Sequence, residues 1–214
     1  MKRVGVLISG RGSNLGALIA AAREPHYPAE IALVLCDRPG ALGLVRAAEA
    51  AIATQVIERE RYAGRAAFER AIGSALIAYR IELVALAGFM RVLSEDFVAR
   101  WRDRMINIHP SLLPSYRGLD THRRALAEGV RIHGCTVHFV RPEFDHGPII
   151  AQAAVPVLTG DTPETLAARV LDAEHILYPK TLALVASGQV WVEGERVASA
   201  LPEVPQPPLI SPPP

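Results

Sequence analysis

A chain of 214 residues, half of them apolar, can bury one core of ordinary size, and its 23 basic and 22 acidic side chains leave almost no net charge. That balance excludes a global field for nucleic acid or an anionic membrane surface, so any anion has to be recognised locally. Two cysteines, Cys36 and Cys135, lie far apart and lack metal-ligand spacing, which predicts a reduced cytoplasmic protein with both thiols buried as small apolar groups. The opening apolar stretch is too short for a signal or membrane segment.

Apolar runs of strand length stand at 4–8, 31–36, 54–57, 83–87 and 105–109. Ala-rich stretches of helical period separate them, at 15–23, 41–50, 65–79 and 94–101. The alternation predicts an α/β fold, a doubly wound, mostly parallel sheet with helices on both faces. Ser9-Gly10-Arg11-Gly12-Ser13-Asn14 falls between the first run and the first helix, where free backbone N–H groups and the helix dipole suit a single phosphate. A plain turn capped by Ser13 or Asn14 is the alternative reading. The loop lacks the Lys of a P-loop and the glycine spacing of a dinucleotide fingerprint, so it does not point to ATP or NAD. Ser94, ahead of Asp96 and Phe97, marks a capped helix start. Strand ends and helix starts then gather on one sheet edge, which puts 10–14, 88–93 and 107–114 where open sheets bind ligands.

The run 105–109 ends on Asn107 and His109, two residues apart and therefore on one side of the strand. Pro110 and Pro114 stop its continuation. An amide that can hold an oxyanion, beside an imidazole that can move a proton near neutral pH, is what acyl-type transfer requires. Asp145, on a loop with Gly147 and Pro148, could complete the set. A lone strand-end histidine is more often a core group; the company of Asn107 and Asp145 shifts the balance towards chemistry. His122, His133, His138 and His175 read as structural or supporting, none has metal spacing, and no metal is predicted.

Beyond residue 130 the runs lengthen, and 132–140 and 149–157 are expected to pair as antiparallel strands around a lid-like loop at 141–148. Asp161-Thr162-Pro163-Glu164 opens a long helix to about 185, with a kink or rebend expected at Pro179. The stretches 189–192 and 195–198, joined through Glu193-Gly194, read as a terminal hairpin, an antiparallel C-terminal extension to the fold. Residues 1–200 are expected to form a single domain, and the Pro-rich 201–214 a disordered tail.

Five strings carry a resemblance: Val6 to Leu15 with Ser9-Gly10-Arg11-Gly12-Ser13-Asn14 inside it, Leu86 to Leu93, Ile106 to Pro114, His138-Phe139-Val140, and Asp145-His146-Gly147-Pro148. They resemble the folate-dependent formyltransferase family, and over the length from the first residue to about Trp191 its phosphoribosylglycinamide formyltransferase branch. The resemblance implies a formyltransferase-like fold with phosphate binding in residues 1–100 and folate binding and catalysis in 101–200. It implies transfer of the formyl group of 10-formyltetrahydrofolate, as co-substrate, to the amine of N1-(5-phospho-D-ribosyl)glycinamide in de novo purine (IMP) biosynthesis.

By resemblance Asn107, His109 and Asp145 are catalytic and assist direct attack. Gly12, Ser13 and Asn14 hold the phosphate and ribose, and Leu171, Asp172, Ala173 and Glu174 face the glycinamide end, with Glu174 as partner of its amine. Arg65, Met90, Arg91, Val92, Leu93, Asn107, Arg141, Pro142, Glu143, Phe144 and Asp145 are similar to positions that cradle the formyl folate. Small-molecule substrates in the cytoplasm, no nucleic acid, no membrane, and a monomer or homodimer complete the expectation. Arg117, Asp120 and His146 depart from the relatives' pattern, which leaves Arg117 or Arg11 to supply charge near the phosphate. A formyltetrahydrofolate deformylase, and a noncatalytic folate- or nucleotide-binding module, are the alternative readings.

Overall fold

A computed structural model of the chain describes residues 1–202, 204, 205 and 207–212. The five predicted apolar runs form parallel strands: β1 (Lys2–Ile8), β2 (Ala29–Cys36), β3 (Thr54–Val56), β4 (Leu83–Leu86) and β5 (Met105–His109). β6 (Ile132–Phe139) and β7 (Ile149–Pro156) extend the sheet antiparallel beside β5, in the order β3-β2-β1-β4-β5-β6-β7. Strand order reverses between β1 and β4, and that switch point is where the carboxyl-end loops part to leave a crevice.

Side chains of β1 show how two layers are filled from one strand. Val4, Val6 and Ile8 enter a core with α1 (Ser13–Ala22) and α6 (Pro163–Ala186), while Leu7 enters the opposite core with α3 (Arg65–Ala78) and α4 (Glu95–Arg100). Buried on both faces, the strand reads as an unbroken apolar run instead of an alternating one. The remaining helices are α2 (Leu42–Glu49) and α5 (Thr121–Ala127), with a single 3₁₀ turn at Arg59–Arg61.

Local signals place most helix ends. Ser94 caps α4, its hydroxyl accepting from the Phe97 N–H at 3.2 Å. Thr162 caps α6, where Pro163 is the first helical residue and Thr165 closes the box. Three details differ from the sequence reading. Neither Ser13 nor Asn14 caps α1; Gly12, in the left-handed region at φ 68°, precedes the first turn and offers no side chain. α5 carries no periodic apolar signal and was not anticipated. The terminal hairpin, β8 (Val190–Glu193) and β9 (Arg196–Ser199), pairs Glu193 with Arg196, so its turn is Gly194-Glu195, one residue later than the sequence suggested.

Both cysteines are free and buried. The described residues beyond 200 form no helix or strand, and Glu203, Gln206, Pro213 and Pro214 of the expected tail lie outside the described residues. Among the described residues no helix is long and apolar enough to cross a membrane.

Candidate active site

Two loops meet at the switch point. The Ser9 N–H donates to the Gly88 carbonyl at 3.1 Å, and the Met90 N–H donates to the Ser9 hydroxyl at 2.8 Å, so the loops after β1 and β4 are held as one surface. On the β1 side, Gly12 lies against α2 so closely that a Cβ there would sit 2.7 Å from the Gly43 Cα. With no side-chain cap on α1, the first-turn N–H groups are available to an anion. Arg46 of α2 reaches this loop, its Nε donating to the Arg11 carbonyl at 3.2 Å, whereas Arg11 and Arg117 are exposed.

Asn14 turns away from the loop mouth towards α6. Its Nδ2 donates to Glu174 Oε2 at 2.7 Å, both residues are buried, and Asn14 Oδ1 has no hydrogen-bond partner among the described residues. Burial pushes the Glu174 carboxyl above its ordinary range, and the Asn14 hydrogen bond partly offsets this. Of the four positions expected to face a substrate on this helix, Glu174 is the one whose side chain bonds to the loop; Asp172 is exposed and Leu171 and Ala173 are half-buried.

Asn107 and His138 stand directly opposite each other on β5 and β6. Burial pushes the His138 imidazole down to about 4, so it is neutral near pH 7. Its Nδ1–H donates to the Phe139 carbonyl at 3.0 Å, which leaves Nε2 as an acceptor 3.3 Å from Asn107 Nδ2. One amide hydrogen of Asn107 is thereby tied down, and the amide is oriented. At the end of β5, the buried His109 places Nδ1 3.4 Å from Asp145 Oδ1 and Nε2 3.0 Å from the Tyr116 carbonyl. Each ring nitrogen therefore faces an acceptor. Asp145, at φ 46°, is held by the Gly118 N–H donating to its Oδ2 at 2.8 Å.

Asn107 and Asp145 open onto a cleft whose apolar walls include Leu93, Val98 and Val140. Arg91, Val92, Arg141, Pro142, Glu143 and Phe144 also border it, while Arg65, Met90 and His109 do not. His109 stands behind Asp145. The guanidinium groups of the two arginines are paired with carboxylates. Buried Asp37 and exposed Glu60 hold the Arg91 guanidinium, Glu60 at 3.2 Å, and Asp103 and Glu195 hold that of Arg141. Among the described residues no group of three or more His, Cys, Asp or Glu side chains could hold a metal ion.

Sequence reasoning missed Asp37, Gly43, Arg46 and the role of His138. Asp37 follows a strand end and could have been found by asking what neutralises an arginine in the next loop of the same edge. Nothing local announces the other three.

A formyl transferase family profile matches residues 2–182. The chain belongs to the formyl transferase family. Among solved structures it is similar to glycinamide ribonucleotide transformylase 1 from Symbiobacterium toebii, with 47% identity, TM-score 0.91, and coverage of 93% of this chain and 94% of that one. It is 43% identical over 199 residues to phosphoribosylglycinamide formyltransferase of Escherichia coli K12, spanning 90% of this chain and 94% of the relative. It is also 52% identical over 188 residues to the human trifunctional purine biosynthetic protein adenosine-3. That match takes in 88% of this chain but 19% of the relative, and trifunctional relatives from other animals are spanned to a similar extent. The formyl transferase match ends before the β8–β9 hairpin.

Proposed function

We propose that this chain transfers the formyl group of 10-formyltetrahydrofolate to the amine of glycinamide ribonucleotide, a step of purine biosynthesis. The observation that carries the reading is a single sheet edge with two adjoining sites. One is a glycine-lined anion loop with the Asn14–Glu174 pair beside it; the other is a cleft presenting Asn107 and Asp145 with His109 behind. A deformylase or a simple folate-binding module would need no buried carboxylate beside a phosphate loop. Residues 1–200 act as one domain on small-molecule substrates, in the cytoplasm and without nucleic acid or membrane.

In this reading Gly12 to Asn14 hold the phosphate and ribose, and Glu174 receives the amine end. The neutral amine attacks the formyl carbon; a new C–N bond forms, the carbonyl electron pair moves to oxygen, and the C–N10 bond of the folate then breaks. Asn107 has one N–H engaged by His138 and a second free to donate to the oxyanion. His109 Nε2 can donate to the same oxygen once it exchanges the Tyr116 carbonyl for it. Asp145 orients the imidazole through Nδ1 and orders a water that carries the proton from the amine to the departing N10.

Turnover of Asn107→Ala, His109→Ala and Asp145→Ala at saturating concentrations of both substrates tests these roles. Each is expected to fall about a hundredfold to a thousandfold, and a near-normal rate removes that residue from the chemistry. Glycinamide riboside lacking the phosphate is expected to bind far more weakly than the ribonucleotide; equal affinity rejects the anion loop.

A further inference from the structure

The β8–β9 hairpin reaches back into the active-site half of the molecule. Val192 and Val197 pack against the central core, and Gly194 at φ 63° with Glu195 makes the two-residue turn. From that turn Glu195 Oε2 meets Arg141 Nε at 3.1 Å, and Oε1 meets Arg102 Nη2 at 2.8 Å. Asp103 Oδ1 adds a second contact, 2.9 Å from Arg141 Nη2.

These partners stand at the roots of the two segments that carry the catalytic side chains. Arg141 opens the loop between β6 and β7, and its N–H donates to the His146 carbonyl at 3.1 Å, closing the loop that bears Asp145. Arg102 and Asp103 lie just ahead of β5, which ends on Asn107 and His109. The Arg141 side chain is 3% exposed and that of Glu195 61%. A cation this deeply buried is stable only when paired, so losing one of its carboxylates is costly to the loop base that carries it.

We propose that Glu195 is a positioning residue for the loop 141–148, and that the hairpin beyond the family match is thereby a working part of the folate site. The inference rests on the reading that this cleft takes formyl folate. Removing Glu195 leaves the Arg141 guanidinium with Asp103 as its one carboxylate and the Val140 carbonyl at 3.3 Å, loosens the loop and widens the cleft, while the phosphate loop and Glu174, on the other side of the switch point, keep their geometry.

Steady-state kinetics and amide hydrogen exchange on wild type, Glu195→Ala, Glu195→Gln and Arg196→Gln test this. Glu195→Ala is expected to raise KM for 10-formyltetrahydrofolate about five- to twentyfold while KM for the ribonucleotide changes by less than about twofold. Glu195→Gln, which keeps an acceptor oxygen, is expected to fall between, and Arg196→Gln, whose side chain enters no ion pair among the described residues, to match wild type. Exchange in 141–148 should quicken in Glu195→Ala with 105–109 unchanged. Unaltered kinetics and exchange in Glu195→Ala overturn the proposal, as does an equal rise in both KM values. A wild-type chain that turns over neither substrate sinks the functional reading instead, and the exchange comparison then decides the positioning role by itself.

Discussion

Glu174 carries its charge in an unfavourable place. Burial raises its carboxyl, and Asn14 is the hydrogen-bond partner seen for it. A carboxyl whose folded pKa lies above its ordinary 4.5 binds its proton more tightly in the fold than unfolded, so stability falls as pH rises through the window just above 4.5. Glu174→Gln removes that cost and keeps an acceptor for Asn14. Its Tm at pH 7 is therefore expected to rise by a few degrees in calorimetry, while its KM for the ribonucleotide climbs. A fall in Tm would show that the buried carboxylate stabilises the fold after all. Stability given up at a residue proposed to receive a substrate amine matches a recurrent trade in active sites.

The link between β4 and α4 belongs to the next scale, because no residue in it holds it in place alone. Ser9 takes the Met90 N–H, Asp37 and Glu60 take the Arg91 guanidinium, and Glu69 of α3 takes both the N–H and the hydroxyl of Ser94. Ser94 also caps α4, so it serves the helix and shields the buried Glu69 at once. Ser94→Ala loses the cap and leaves Glu69 short of a donor, and is expected to destabilise by about 1–3 kcal/mol in urea unfolding. A cost near zero would mean that water replaces the hydroxyl freely. The cap was legible in the sequence because Ser before an acidic first turn is a local pattern. Glu69 was not, since it lies one helix earlier and its side chain is used across the gap between α3 and α4.

The whole molecule carries its acid sensitivity in buried imidazoles. Burial pushes His133 and His138 down to about 4, and lowers His122 as well. A histidine whose folded pKa lies below its ordinary 6.5 is free of penalty above that value, and stability is lost as pH falls from 6.5 towards about 4, where the unfolded chain binds more protons. Glu174 works in the opposite sense near the lower end of that window. The urea midpoint is therefore expected to drop between pH 6.5 and 4.5, and to drop less steeply in His133→Leu. An identical slope in the variant would show that His133 is not the source.

What could be read from the chain alone was whatever repeats or adjoins. Strand and helix periods, the cap at Thr162, the glycine loop and the Asn107/His109 pair are local, and local sterics and spacing write them into consecutive residues. Only the tertiary structure decided which side chains use one another: Asn14 with Glu174, Arg91 with Asp37, Arg141 with Glu195. A buried charge goes to whichever opposite charge the packing brings near, and hydrophobic patterning, which drives that packing, says nothing of which polar groups will meet. For that reason the sequence places Arg91 and Arg141, by resemblance, beside the folate, and the fold alone shows them bordering the cleft with their guanidinium groups paired to carboxylates.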